Sequence, residues 1–209
     1  VLLHSDAAQT IGKISMRPRE LSVDLVSLAG HKMYAPKGIG VLYVRRGVPL
    51  EPVLHGAAHE GGMRAGTENV PHIVALGHAA TLAETHLAEA AERSAALRDR
   101  LQQRLCDEIG GEITVNAAQS ERLPNTLSIN FPGVNGSSML ARVPELCVST
   151  GAACHSGSEN LSPTLAAIGL THARTRGTVR LSVGWYTSGE EIDRACSLLV
   201  SAWETERGG

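Results

Sequence analysis

Apolar residues run almost unbroken from Val23 to Ala29 and again through Val41-Leu42-Tyr43-Val44. Runs of this length and density predict strands buried on both faces of a parallel sheet. Val1-Leu2-Leu3 opens another such run ahead of His4-Ser5-Asp6. Residues 56 to 66 are rich in glycine and predict a loop. A long Ala-rich helical stretch comes next, opened by Asn69 as its cap with Pro71 in the first turn. Leu97, Leu101, Leu105 and Ile109 recur every four residues and so share one helical face. Glu92, Arg93, Arg98, Asp99, Arg100 and Arg104 are read as the solvated side of that helix, and Gly110-Gly111 as its stop.

The texture then changes. Ile113 to Val115 and Leu127-Ser128-Ile129-Asn130-Phe131 predict strands, the second alternating apolar with polar. Gly136-Ser137-Ser138 starts a short helix, and Leu146-Cys147-Val148 leads into a loop from Ser149 to Asn160. Val179 to Val183 predicts a further strand. Thr187-Ser188-Gly189-Glu190-Glu191 spells a capping box for a closing helix through Trp203. The order is that of an α/β chain with a domain change near residue 88, giving segments 1–88 and 89–209.

Composition narrows the classes. A chain of 209 residues suffices for one full domain, or a large part of one plus a small one. Only 3% of residues are aromatic, so the core must be built from Leu, Val, Ile and Ala. A net charge of −2 leaves no basic footprint and argues against nucleic acid as a partner. No apolar run reaches the length of a bilayer span, so no membrane partner is expected. Cys106, Cys147, Cys154 and Cys196 are too few and too scattered for a disulfide framework, which favours a reducing, cytoplasmic setting. They form no Cys-x-x-Cys pair. His55 and His59 are four apart, but in a glycine-rich stretch with no third ligand, so no metal is expected. The chain begins at Val1 in mid-strand fashion, without an initiator Met, which predicts further chain upstream.

Candidate chemistry centres on Lys32. It follows the second apolar run in Ser27-Leu28-Ala29-Gly30-His31-Lys32, with Pro36-Lys37-Gly38-Ile39-Gly40 after it. An amine at the end of a buried strand is desolvated, and a neutral amine can form a Schiff base with an aldehyde. Asp6 stands at the end of the first apolar run. A carboxylate at one strand end and a lysine at the next suit pyridoxal phosphate, whose ring nitrogen needs the one and whose aldehyde needs the other. The plainer alternative is a surface lysine and a turn aspartate. Cys154 lies in Ser149-Thr150-Gly151-Ala152-Ala153-Cys154-His155-Ser156, a loop of small residues in which His155 favours the thiolate. A buried structural thiol is the alternative there. Arg180, on a strand, can clamp a carboxylate bidentately, or simply stand half-exposed.

In order along the chain come Asp6-Ala7-Ala8-Gln9, Gly30-His31-Lys32, Pro36-Lys37-Gly38-Ile39-Gly40, Arg64-Ala65-Gly66-Thr67-Glu68-Asn69, the Cys154 loop and Arg180. The series resembles the cysteine desulfurases and selenocysteine lyases, pyridoxal-phosphate enzymes of the class V aminotransferase group with fold type I. His4 to Gln9, Gly151 to Ser156 and Arg122-Leu123-Pro124-Asn125-Thr126 lean towards the selenocysteine lyase branch. The resemblance implies that residues 1–88 are the later part of a large, mainly parallel-sheet domain that binds the cofactor. Residues 89–209 would be a small C-terminal α+β domain carrying the cysteine loop. It also implies roles. Lys32 holds the cofactor and then moves the Cα proton, while Asp6 pairs with the ring nitrogen. Gln9 donates to the phenolic oxygen and His31 contacts the phosphate. Thr67 reaches the phosphate of a partner subunit, so a homodimer is implied. Arg180 binds the carboxylate of L-cysteine or L-selenocysteine. Cys154 takes up sulfur as a persulfide, releasing alanine, for delivery to a persulfide or selenium acceptor protein.

Two departures qualify the resemblance. Many desulfurases carry a hydroxyl residue, used on the phosphate, where Ala29 stands. Family chains also extend well upstream of the Asp-Ala-x-Gln strand, and that part supplies the phosphate-cradling helix, the group stacked on the ring and several strands. Alone, the chain is expected to hold cofactor poorly. A truncated, non-catalytic remnant acting by dimerisation or docking is therefore one alternative, and another class V aminotransferase-type enzyme is a second.

Overall fold

The computed structural model describes residues 1–150 and 162–208. They fall into two compact units, Val1–Glu89 and Ala90–Gly209.

In the first unit β1 (His4–Asp6), β2 (Leu25–Ala29) and β3 (Gly40–Val44) form a sheet in the order β1-β2-β3. β1 and β2 run parallel, whereas β3 runs antiparallel to β2, which corrects the expectation of a parallel third strand. Length is the physical reason. The connection covers residues 30–39, fewer than the dozen or so that a parallel crossover needs. β3 is not buried on both faces either, since Val41 and Leu42 are 39% and 46% exposed. An apolar run records a preference for burial and says nothing of strand direction.

Asp24, itself only 7% exposed, fastens this sheet just before β2. Its Oδ2 accepts from Leu3 N–H at 2.7 Å, and its Oδ1 accepts from Arg45 Nε at 2.7 Å. The Leu3 N–H first, and Arg45 next, hold the carboxyl below its ordinary range. Helix α1 (Val70–Thr85) starts as its sequence indicates, with Asn69 Oδ1 accepting from His72 N–H at 3.3 Å. Its Leu76 and Ala79 pack on Met33 and Ala35, bordered by Ile11, Ile39 and Ala83. A second small cluster joins Ala7, Val23 and Val26.

The second unit has one larger core. Helix α2 (Leu87–Ile109) enters it from Ala90 onward and ends at Gly110, whose φ of +86° is left-handed. Strands β4 (Thr114–Val115), β5 (Thr126–Asn130) and β6 (Thr178–Ser182) form an antiparallel sheet in that order. Short helices α3 (Gly136–Ala141), α4 (Pro163–Ala167) and α5 (His172–Thr175) precede α6 (Gly189–Gly208). The capping box is formed: Ser188 N–H donates to Glu191 Oε2 at 2.8 Å, and Glu191 N–H donates to Ser188 Oγ at 3.1 Å. α6 continues beyond Trp203 to Gly208. Leu101 and Leu105 of α2 meet Leu127, Ile129, Val179, Leu181, Cys196 and Leu199 in the core, with Leu97 and Ile109 at its margin.

The arginines of α2 are more than a solvated face. Arg93 donates to Trp185 O at 2.7 Å and Thr187 O at 2.9 Å, and Arg98 to Leu123 O at 3.0 Å. Arg100 and Arg104 both pair with Asp193 at the start of α6. Their partners lie as many as 94 residues away in sequence, beyond the reach of any helical pattern.

Candidate cofactor and substrate site

Parallel pairing sets the carboxyl ends of β1 and β2 side by side, with Asp6 in register with Ser27. In open α/β sheets such ends are where ligands bind. Asp6 is the last residue of β1 and is exposed. Its Oδ1 accepts from Ala8 N–H at 2.9 Å, a local turn that fixes the carboxylate as the chain leaves the strand. Gln9 follows, exposed, in that turn.

β2 runs straight into a 3-10 turn, Gly30–Met33, which carries His31 exposed and Lys32 half-buried. Two backbone bonds close it. Gly30 N–H donates to Ile39 O at 3.0 Å, and Ala35 N–H donates to Gly30 O at 3.1 Å. Gly30 is required by close approach: a Cβ there would stand 2.9 Å from Ile39 Cγ2 and 3.1 Å from Leu76 Cδ1. The turn thus lies flush against α1, and the chain leaves it through Tyr34 at φ 67°. Lys13 stands beside it, donating from Nζ to Lys32 O at 3.4 Å. No periodicity or motif in the sequence singles out Lys13.

Thr67 is exposed on the loop that leads to Asn69. The described contacts do not bring it to Lys32. Nearby, His59 Nδ1 meets Glu68 Oε1 at 2.9 Å. A bond from its own backbone N–H, and after it His59, hold the Glu68 carboxyl below its ordinary value.

In the second unit Arg180 sits mid-way along β6, opposite Ser128. On its other side Arg180 N–H donates to Ser149 O at 2.7 Å, and Ser149 N–H donates back at 3.4 Å. Arg180 therefore flanks the root of the segment that leads to Cys154. Cys154 itself lies outside the described residues.

The other thiols are a contrast. Burial first, and Glu108 next, push the Cys196 thiol up to about 11, and burial also raises Cys106. Cys147 is exposed. Alkylation of the folded protein by iodoacetamide at mildly alkaline pH is expected to label Cys147 and spare Cys196, read by peptide mass. Equal rates at the two thiols would contradict the burial argument.

An amine, a carboxylate, an amide and an imidazole thus stand on the segments that leave two parallel strand ends. This donor set fits pyridoxal phosphate: the amine for the aldehyde, the turn-fixed carboxylate for the ring nitrogen, the neutral and basic donors for oxygen and phosphate.

The aminotransferase class-V family model matches residues 1–195. Cysteine desulfurase 2 of Trichormus variabilis is 44% identical over 200 residues, covering 95% of this chain and 50% of that protein. Cysteine desulfurase IscS of Histophilus somni is 44% identical over 209 residues, covering 99% of this chain and 51% of that one. A solved NifS-like protein superposes with a TM-score of 0.83 at 35% identity, over 98% of this chain and 52% of its own. The chain spans about half the length of the relatives it matches. Family model, relatives and fold agree that this chain belongs to the class V aminotransferases, enzymes of pyridoxal-phosphate fold type I, and corresponds to the C-terminal portion of its cysteine desulfurase relatives.

Proposed function

We propose that this chain supplies the Schiff-base lysine, the substrate arginine and the sulfur-accepting cysteine of a pyridoxal-phosphate-dependent cysteine desulfurase. The observation that carries this reading is Lys32 on the turn directly after β2, with Asp6 closing the parallel strand beside it. Residues 1–88 act as the later part of the cofactor domain and residues 89–209 as the small domain. Pyridoxal phosphate, when bound, supplies an electron sink that makes the substrate's Cα proton acidic.

The remaining work falls to side chains. Lys32 holds the aldehyde carbon and, once released from it, carries the Cα proton. Asp6 keeps a proton on the ring nitrogen; Gln9 and His31 orient the phenolic oxygen and the phosphate. Thr67 serves the phosphate of a second subunit in a homodimer. Arg180 grips the substrate carboxylate through its two parallel N–H donors. Cys154, as a thiolate, attacks the substrate sulfur. A sulfur–sulfur bond forms while the Cβ–sulfur bond breaks with its electron pair left on carbon, which takes up a proton to give alanine. The persulfide is passed to an acceptor protein in the reducing cytoplasm.

Selenocysteine is the second reading, favoured by the lyase-like motifs and by apolar Ala29. Alanine release from L-cysteine and L-selenocysteine, measured side by side on the protein that carries this chain, decides between them. Cys154→Ser is expected to lower release from cysteine by at least ~100-fold. Undiminished release would remove Cys154 from the mechanism, and no alanine from either substrate would sink the proposal.

A further inference from the structure

Three lysines occur in the chain, Lys13, Lys32 and Lys37, and two of them meet at one turn. Lys13 Nζ donates to Lys32 O at 3.4 Å and stands 5.7 Å from the centroid of the Tyr34 ring. It thereby grips the turn on both sides of Met33. Tyr34 has a left-handed backbone, φ 67°, which a bulky residue keeps only when its surroundings impose it. The segment that carries Lys13 is pressed onto the same place: a Cβ on Gly12 would lie 3.5 Å from Met33 Cβ and from Ala83 Cβ.

We propose that Lys13 is a positioning residue for Lys32: its ammonium fastens the turn through the Lys32 carbonyl and the Tyr34 ring, and holds a second positive charge beside the reactive amine. The inference rests on the reading of Lys32 as the Schiff-base lysine. Only a neutral amine attacks a carbonyl, and a neighbouring positive charge favours the neutral form. Burial, and after it the charge of Lys32, lower the Lys13 amine from its ordinary value, so the two amines interact. Lys32 and Tyr34 are the ionisable groups that the described contacts set against Lys13. The α1 face packed on the same turn brings Leu76, Ala79 and Ala83, which carry no charge.

The test uses the protein that carries this chain, without cofactor or substrate. Formaldehyde with cyanoborohydride labels each lysine, and peptide masses give three separate rates, with exposed Lys37 as the internal reference. Lys13→Met is expected to slow labelling of Lys32 relative to Lys37 by about three- to ten-fold at neutral pH. The gap should narrow as the pH is raised through the mildly alkaline range, and Lys13→Arg should restore the native rate. An unchanged rate, a pH-independent gap or a failed rescue overturns the proposal. If Lys13→Met does not fold, Lys32→Gln gives the reciprocal measurement. Relief from repulsion should then slow the labelling of Lys13 at neutral pH, and an unchanged rate overturns the proposal equally. Because no cofactor is present, this coupling is measured whether or not Lys32 proves to be the Schiff-base lysine.

Discussion

Lys32→Ala is expected to abolish the visible absorbance of lysine-bound pyridoxal phosphate and to lower alanine release by at least ~100-fold. Lys32 is the half-buried amine of a turn locked by two backbone bonds and by contact of Gly30 with α1. Lys37 is exposed beyond the turn, and Lys13 points its ammonium at the Lys32 carbonyl. Neither is placed to take over, so the loss should not be rescued from within the chain. The substitution removes no core contact, and far-UV circular dichroism should be unchanged. Borohydride reduction of the loaded native protein should place the cofactor's mass on the peptide with Lys32. A protein that keeps the absorbance band in Lys32→Ala, or that carries the mass on Lys37, would overturn the assignment.

Gly177→Ala is expected to cost the second unit about 3 kcal/mol or more. A Cβ at Gly177 would fall on the carbonyl oxygen of Phe131, at a separation that real Cβ atoms never show. The obstacle is backbone, so no rotamer change relieves it. The same two residues are joined where Phe131 N–H donates to Gly177 O at 2.9 Å, and Gly136 N–H donates to Arg176 O at 2.8 Å alongside. Relief must therefore spread β5 from β6 at the edge of the core, where Phe131 is 2% exposed and Thr178 likewise 2%. Thermal unfolding followed by circular dichroism should show a midpoint lower by about 10 °C. Gly111→Ala, where an added Cβ meets nothing within 4 Å, is the matched control and should shift little. Equal midpoints for the two variants would show that the β5–β6 connection yields more easily than its contacts imply.

Much of the fold was legible because it depends on neighbours in sequence. Asn69, Gly110 and the Ser188–Glu191 box each act within one helical turn, and each does so in the structure. The leucine stripe of α2 encodes its own buried face. What failed to show depends on distant residues. β3 turned antiparallel because its connection is short, a fact that the apolar pattern of the strand does not contain. The α2 arginines were read as solvated because their acceptors, Trp185, Thr187 and Asp193, belong to a remote part of the chain. For the site, Asp6 and Lys32 were recognisable as two residues following two apolar runs. Their common strand ends became visible only with the Asp6–Ser27 register. Lys13 carried no signal at all, since a lysine in a turn looks the same whether or not it meets another.

The antiparallel return of β3 also bears on how the site comes together. The Lys32 turn is the tip of a hairpin made of residues 25–44, so the chain closes it across a short loop at small entropic cost. Asp6 reaches the sheet from the far side of an 18-residue connection, residues 7–24, and stays there through β1's three pairs and the Asp24 clamp. Presentation of the amine is thus a local property of the chain, and presentation of the carboxylate is a long-range one.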